Sequence, residues 1–452
     1  MDTLRPQDSV SLSISLTGPI PAALQAKGRL LQIYQPGRVI AVRMRKDDLD
    51  TLLRQQAFQF IQNLREPKEE LTTGAVDYSL NQVGYVHRAY PEIQGSSIMA
   101  SVKERLFDTL DIDLKGRVFK TGLEINQQTS HASLMATIIG GAGNSSELAR
   151  GAAPASELTS SSFTNLFPDK DSVFQAYHIT VQNHSYGTVP ENFYGNEAMA
   201  YDLQAHNLPV LLHIFSAGNS GNLTSATGTY AGIPEVSNLS GNFKQAKNIL
   251  TVSAIDSVGT VMPLSSKGPA YDGRVKPELT AYGEDGSSGA AALVSGAAVL
   301  VQDSYKKMRT GRQPTSALVK AALINSADDI GAGEVDYATG YGKLNAFRAV
   351  ETVLQERFGE DSLQQDEMRS FALTVPSGIA RLKITLTWTD LPAQVNAAKA
   401  LVNDLDALLT KDLSGASWQP WVLSAYPVKD SLLLPARRRT DTLNTVEQIT
   451  LD

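Results

Sequence analysis

The chain has 452 residues, 42% hydrophobic and 19% charged. That is the composition of a folded globular protein, and the length calls for two to four domains. Its 40 Lys and Arg against 47 Asp and Glu give a net charge of -7, which argues against nucleic acid as the main partner. With no cysteine, disulfides, thiolate catalysis and Cys-ligated metals are excluded. No apolar run reaches the roughly 20 residues that span a bilayer. The polar start MDTLRPQDSV is not a signal peptide.

Residues 1–72 read as a small α/β domain. RLLQIYQPGRVIAVRMR gives two β-rich runs around a Pro36-Gly37 turn, KDDLDTLLRQQ has helical spacing, and FQFIQNLRE reads as a strand. Lys68-Glu69-Glu70 and Thr72-Thr73-Gly74 look like a linker. In residues 73–357, strand-like runs (IMASVK, YHITVQN, PVLLHIFSAGN, NILTVSAID) alternate with helix-like segments (HASLMATII, FYGNEAMAYDLQAHN, GAAALVSGAAVLVQDSY, TSALVKAALINSA). This alternation predicts an α/β fold built on a mainly parallel, doubly wound sheet, with its site where strands run into helices. Residues 358–452 carry the β runs SFALTV, ARLKITLTWTD, DALLTK and QPWVLSAY without helical pattern between them, as in a β-sandwich of jelly-roll type.

Four side chains sit at junctions suited to acyl transfer, which needs a nucleophile, a base, a group that orients the base, and oxyanion donors. Ser288, in GSSGAAALVSG, opens a small-residue helix whose positive end favours developing negative charge; the plainer reading is a serine cap. His131 opens the helix SHASLMATIIGG and can aim its ring at a neighbouring loop, or simply cap that helix. Asn219 ends the apolar run VLLHIFSAGN and can present an amide donor, or serve a turn. Glu104 closes a strand where a carboxylate can hold the histidine in one tautomer, with Asp108, Asp111 and Asp113 as nearby competitors.

Taken together, in the order acid, His, Asn, Ser, these segments resemble the subtilisin family of serine peptidases. LARGAAP is similar to the family's G-V-A-P segment, VQNHSYGT to its N-x-S-x-G strand, and FSAGNSG to A-A-G-N-x-G. PLSSKGPAYDGRVKPELTAYGED resembles F-S-S-x-G-P … K-P-x-x-x-A-P-G, and GSSGAAALVSGAAVL aligns without a gap on G-T-S-M-A-x-P-x-V-A-G-A-A-A-L. The resemblance implies a serine endopeptidase with Ser288 as nucleophile, His131 as base, Glu104 as orienting acid and Asn219 in the oxyanion hole. Ser185, Tyr186 and Gly187 would pair with an extended polypeptide substrate. Residues 28–71 resemble the family's propeptide, an intramolecular chaperone and inhibitor, so a zymogen with that domain over the cleft is a further expectation. Structural calcium is implied as well, with Asn403, Asp404 and Asp406 as oxygen donors; no other cofactor is required. A secreted or cell-surface, bacterial setting is expected, and a further strand of the C-terminal barrel is expected beyond Asp452.

The sequence also departs from the family pattern. Glu104 stands where the family has Asp, and H-G-T-H becomes His131-Ala132-Ser133-Leu134. Around the nucleophile, Thr, Met and Pro become Ser287, Gly289 and Ala292. A catalytically degenerate scaffold that binds peptides is therefore the alternative expectation.

Overall fold

The computed structural model describes residues 5, 7–34, 39–53, 58–64, 68–69, 78–283, 285–412 and 414–452. The Pro36-Gly37 turn and the Glu70 and Thr72–Gly74 part of the expected linker lie outside these residues. In chain order the elements are β1 (Ser9–Leu16), α1 (Ala22–Lys27), β2 (Arg29–Tyr34), β3 (Val39–Arg45), α2 (Lys46–Leu52), β4 (Phe58–Asn63) and β5 (Lys68–Glu69). Then come α3 (Val83–Ala89), β6 (Met99–Glu104), β7 (Val118–Phe119), α4 (Ser130–Gly140), β8 (Glu157–Ser162), α5 (Asp171–Tyr177), β9 (Ile179–His184), β10 (Tyr186–Gly187) and α6 (Asn196–Asn207). The next are β11 (Leu212–Ser216), β12 (Leu250–Ile255), β13 (Leu279–Tyr282), α7 (Ser287–Met308), α8 (Ser316–Asn325) and α9 (Ala346–Leu354). The last are β14 (Leu382–Thr387), β15 (Leu409–Thr410), β16 (Ser417–Trp418), β17 (Trp421–Val422), α10 (Lys429–Leu432), β18 (Arg437–Arg438) and β19 (Val446–Leu451).

Seven strands form the central sheet in the order β13-β12-β11-β9-β6-β8-β7, every pair parallel. The chain enters at β6, winds to one side through β7 and β8, then to the other through β9, β11, β12 and β13. Beside β6 the winding direction reverses, and the carboxyl ends of the strands at such a reversal are where α/β sheets place their sites. The sheet is the expected doubly wound α/β architecture. β8 escapes a sequence reading because ELTSSS has no apolar run; Thr159, Ser160 and Ser161 are nonetheless buried, and Ser161 Oγ donates to Asp169 Oδ2 at 2.5 Å.

α7 is the axis of the fold. It is 22 residues long and buried from Ser287 to Tyr305. An amphipathic stripe would not serve a helix enclosed on all sides, and the sequence supplies Ala, Leu, Val and Gly around its whole circumference. Its Gly296 faces α4: a Cβ there would stand 2.6 Å from Ala152 Cβ and 3.1 Å from Ile139 O. The missing side chain thus lets α7 pass close against α4.

The N-terminal strands form an antiparallel sheet, β2-β3-β1-β4, with α1 and α2 packed through Leu24, Leu49 and Leu52 onto Val10, Leu12, Ile14 and Leu16. β1 is not among the expected strands, although its apolar residues alternate with serines. Ser13 and Ser15 are buried too, because the sheet's other face docks on α6: both hydroxyls bond the Asn196 amide, and Gln62 bonds Glu197. Tyr34 stacks on Phe167 at 4.0 Å.

After α9, antiparallel β structure flanks the sheet in three two-stranded ladders, β14-β19, β15-β16 and β17-β18. β14 is tied to α8 by Thr387 Oγ1 to Ala317 O at 2.7 Å and Thr385 Oγ1 to Asn325 Oδ1 at 2.9 Å. SFALTV is not a strand. Its Phe371 and Leu373 are 72% and 59% exposed, and among the described residues no neighbouring strand completes a ladder with it. Among the described residues, no helix is long and apolar enough to cross a membrane.

The docked N-terminal sheet carries a pH dependence. Burial pushes the Glu197 carboxyl up to about 7, and the neighbouring Glu191 charge adds to this. The docked state therefore keeps a proton that a free carboxyl loses near 4.5, so docking is strongest below that pH and weakens as pH rises towards 7. We expect a loss of about 1–3 kcal/mol across this window, read by limited proteolysis of residues 9–64 against pH. Glu197→Gln should flatten the profile.

Candidate active site

Glu104 is the last residue of β6, the strand beside which the winding reverses. His131 is the second residue of α4, whose start is fixed by Thr129: its Oγ1 accepts the Ala132 N–H at 3.2 Å. Two backbone bonds, Leu106 N to Gln127 O (2.9 Å) and Thr129 N to Leu106 O (3.1 Å), fasten the approach to α4 alongside the exit of β6. They bring His131 Nδ1 to 3.7 Å from Glu104 Oε2, with both side chains fully buried. That is ion-pair range and longer than a hydrogen bond. Of the competing acids, Asp108 and Asp111 accept bonds from backbone N–H groups of their own loop, and Asp113 is taken up by Asn144 and Ser145.

On the other side of the reversal, β11 runs into Ala217-Gly218-Asn219. Gly218 has φ 113°, and a Cβ there would collide with Ser240, so only glycine fits. Asn219 Oδ1 accepts from the Ser287 N–H at 3.0 Å and from the Ser287 hydroxyl at 3.1 Å. The same Ser287 Oγ accepts the Gly218 N–H at 3.0 Å. Ser287, singled out by no sequence argument, thus seats the first turn of α7 on the end of β11.

Ser288 follows, fully buried. Its Oγ lies 3.3 Å from the Ser185 carbonyl oxygen, and Ser185 Oγ donates to Ser288 O at 2.9 Å. Since β9 pairs with β6, the Ser185 segment leaves the sheet beside the strand that ends in Glu104. All four candidates therefore meet the same edge of the sheet. Beyond Ser185, Tyr186 and Gly187 form an antiparallel ladder with Glu69 and Lys68.

Asp285 was not anticipated. Its Oδ1 accepts the Gly289 N–H at 2.8 Å, capping α7 where the dipole favours an anion. A Cβ on Gly289 would collide with that oxygen. An acid two residues before Ser287 was the available signal.

Asn403 turns its amide to Asp390 Oδ1 at 2.9 Å, and Asp404 faces Lys399 at 3.6 Å. Among the described residues no three carboxylate or imidazole side chains converge to hold a metal.

A family model described as the subtilase family matches residues 115–342, half of the chain. The chain belongs to the subtilase family. A relative, the serine protease/ABC transporter B family protein tagA of Dictyostelium discoideum, is 27% identical over 238 residues, which cover 41% of this chain. This subtilase chain spans only 13% of that relative's length. Two solved structures are also similar. The prenylagaramide maturation protease PagA is 20% identical, with a TM-score of 0.46 over 59% of this chain and 98% of its own. The self-cleaved protease domain of PatA is 20% identical, with a TM-score of 0.44 over 58% and 98%.

The Asp285–Gly289 pair makes a structural prediction. Gly289→Met, the residue of the family pattern, should destabilise the protein by about 1–3 kcal/mol through overpacking. Adding Asp285→Gly should recover part of that loss. Equal losses in the single and double variants, measured by denaturant unfolding, would contradict the pairing.

Proposed function

We propose that the chain is a serine endopeptidase that hydrolyses peptide bonds through Ser288, His131 and Glu104, with Asn219 as an oxyanion donor. One observation carries this reading: the nucleophile helix begins in direct hydrogen-bond contact with Asn219, at the sheet edge where His131 meets Glu104. Because Oδ1 of Asn219 is engaged by Ser287, the amide's donor end is the one that meets an oxyanion.

In this mechanism an extended polypeptide pairs with Ser185, Tyr186 and Gly187 by strand addition. His131 takes the Ser288 proton as Oγ attacks the scissile carbonyl. The tetrahedral oxyanion is held by Asn219 Nδ2 and the Ser288 backbone N–H at the positive end of α7. His131 returns the proton to the leaving amine, and the bond to carbon breaks. Water, deprotonated by the same imidazole, then hydrolyses the acyl-enzyme. Glu104 holds the imidazole in one tautomer and balances its charge when protonated. The 3.7 Å separation suits a resting site whose bonds tighten once substrate is in place.

The N-terminal domain fits the role of an intramolecular inhibitor. Lys68 and Glu69 occupy the strand edge that a substrate would use, and the domain is docked on α6. A scaffold that binds without cutting has no observation in its favour.

Ser288→Ala should lower casein cleavage at least about 10³-fold and abolish fluorophosphonate labelling. Asn219→Ala should lower kcat about 10²- to 10³-fold with little change in KM. Undiminished cleavage by the Ser288 variant would refute the proposal.

A further inference from the structure

The strand that leads to Ser185 is held on both faces. Successive side chains alternate. On one face, Asn183 Oδ1 accepts from Ser295 Oγ of α7 at 3.0 Å, and Asn183 Nδ2 donates to Ser185 Oγ at 2.9 Å. On the other face, His184 and Tyr186 enter a closed cluster with His213 and Tyr201, all fully buried. Tyr186 Oη is 3.0 Å from His184 Nδ1, His184 Nε2 is 3.0 Å from His213 Nδ1, and His213 Nε2 is 3.0 Å from Gln204 Oε1.

Gln204 sets the direction of this chain. Its Nε2 donates to Asp169 O at 2.7 Å and to Asp171 Oδ1 at 2.6 Å, so its Oε1 is the acceptor. His213 therefore carries its proton on Nε2 and accepts at Nδ1. His184 must then carry its proton on Nε2 and accept at Nδ1, which makes the Tyr186 hydroxyl a donor. The Tyr201 hydroxyl, 3.4 Å away, donates to Tyr186 in turn. The His184 ring is also clamped in plane, stacked on Phe215 at 3.8 Å. Burial keeps both rings neutral: it draws His213 down to about 3 and His184 well below its ordinary range. The Lys103 charge, paired with Asp169 at 2.9 Å, acts in the same direction on both, and His213 and Lys244 do so on His184.

We propose that His184 and His213 are positioning residues: as a one-way hydrogen-bond relay they fix Tyr186, and with it the strand that pairs with substrate, against the nucleophile helix. The inference rests on reading Ser185–Gly187 as the substrate strand. Ser185 lies between the two anchored side chains, and its carbonyl is the group beside Ser288 Oγ. A strand that slips here by about 1 Å presents the scissile bond out of line, a displacement that can cost about 100-fold in rate.

The test compares His213→Leu, which breaks the relay, with His213→Asn, whose side-chain oxygen restores an acceptor for His184. For a long peptide substrate, kcat/KM should fall at least about tenfold in the Leu variant and recover to within about threefold in the Asn variant. Hydrolysis of p-nitrophenyl acetate, which reaches Ser288 without pairing to the strand, should change less than about twofold. Amide hydrogen exchange at Tyr186 and Gly187 should quicken in the Leu variant while β12 stays protected. Parallel loss of peptide and ester hydrolysis, or unchanged exchange at these two amides, would overturn the relay. If the chain hydrolyses neither substrate even after the N-terminal domain has been displaced, the peptidase reading fails, and the exchange measurement alone still decides the relay.

Discussion

Everything at the candidate site depends on where α7 begins. A helix buried along 19 residues, from Ser287 to Tyr305, has almost no freedom to slide, because each of its turns is packed at interior density. Its first turn is pinned by three bonds around one residue: Ser287 N–H and O–H donate to Asn219 Oδ1, and Gly218 N–H donates to Ser287 Oγ. Ser288 inherits its position from that seat. Gly289 and Gly296 are the places where a side chain would press the helix against its own cap or against its neighbours.

The second constraint is the strand from Asn183 to Gly187. One face is bonded to α7 and the other to the histidine relay, so what remains for pairing is the backbone edge of Tyr186 and Gly187. Lys68 and Glu69 use that edge from within the same chain. The buried Glu197 beneath the N-terminal sheet links that domain's docking to pH. The relay and this docking surface meet on α6, which supplies Gln204 and Tyr201 to one and Asn196 and Glu197 to the other.

Much of this was legible in the sequence, for a physical reason. Parallel strands buried on both faces read as apolar runs, and Glu104 at the end of one and Asn219 just after another stand at the edge where α/β sheets place their sites. Ser288 and His131 open helices, which glycine and hydroxyl residues mark. What stayed hidden depends on contacts distant in the chain. Nothing local tells that Ser287 rather than its neighbour bonds Asn219, 68 positions away. Nor does it reveal that His184 and His213, on different strands, meet in the interior. β8 is built from hydroxyl residues whose burial only the fold can justify. SFALTV has strand propensity but no partner, and propensity alone does not make a strand.

The proposed chemistry asks the seat of α7 to single out one hydroxyl, and mass-spectrometric peptide mapping of the protein after reaction with a fluorophosphonate reads which one reacts. A single adduct is expected on Ser288, with none on Ser287 or Ser185 although both lie within the same bonded cluster. An adduct on either neighbour, or no adduct on the intact chain after the N-terminal domain has been displaced, would contradict it.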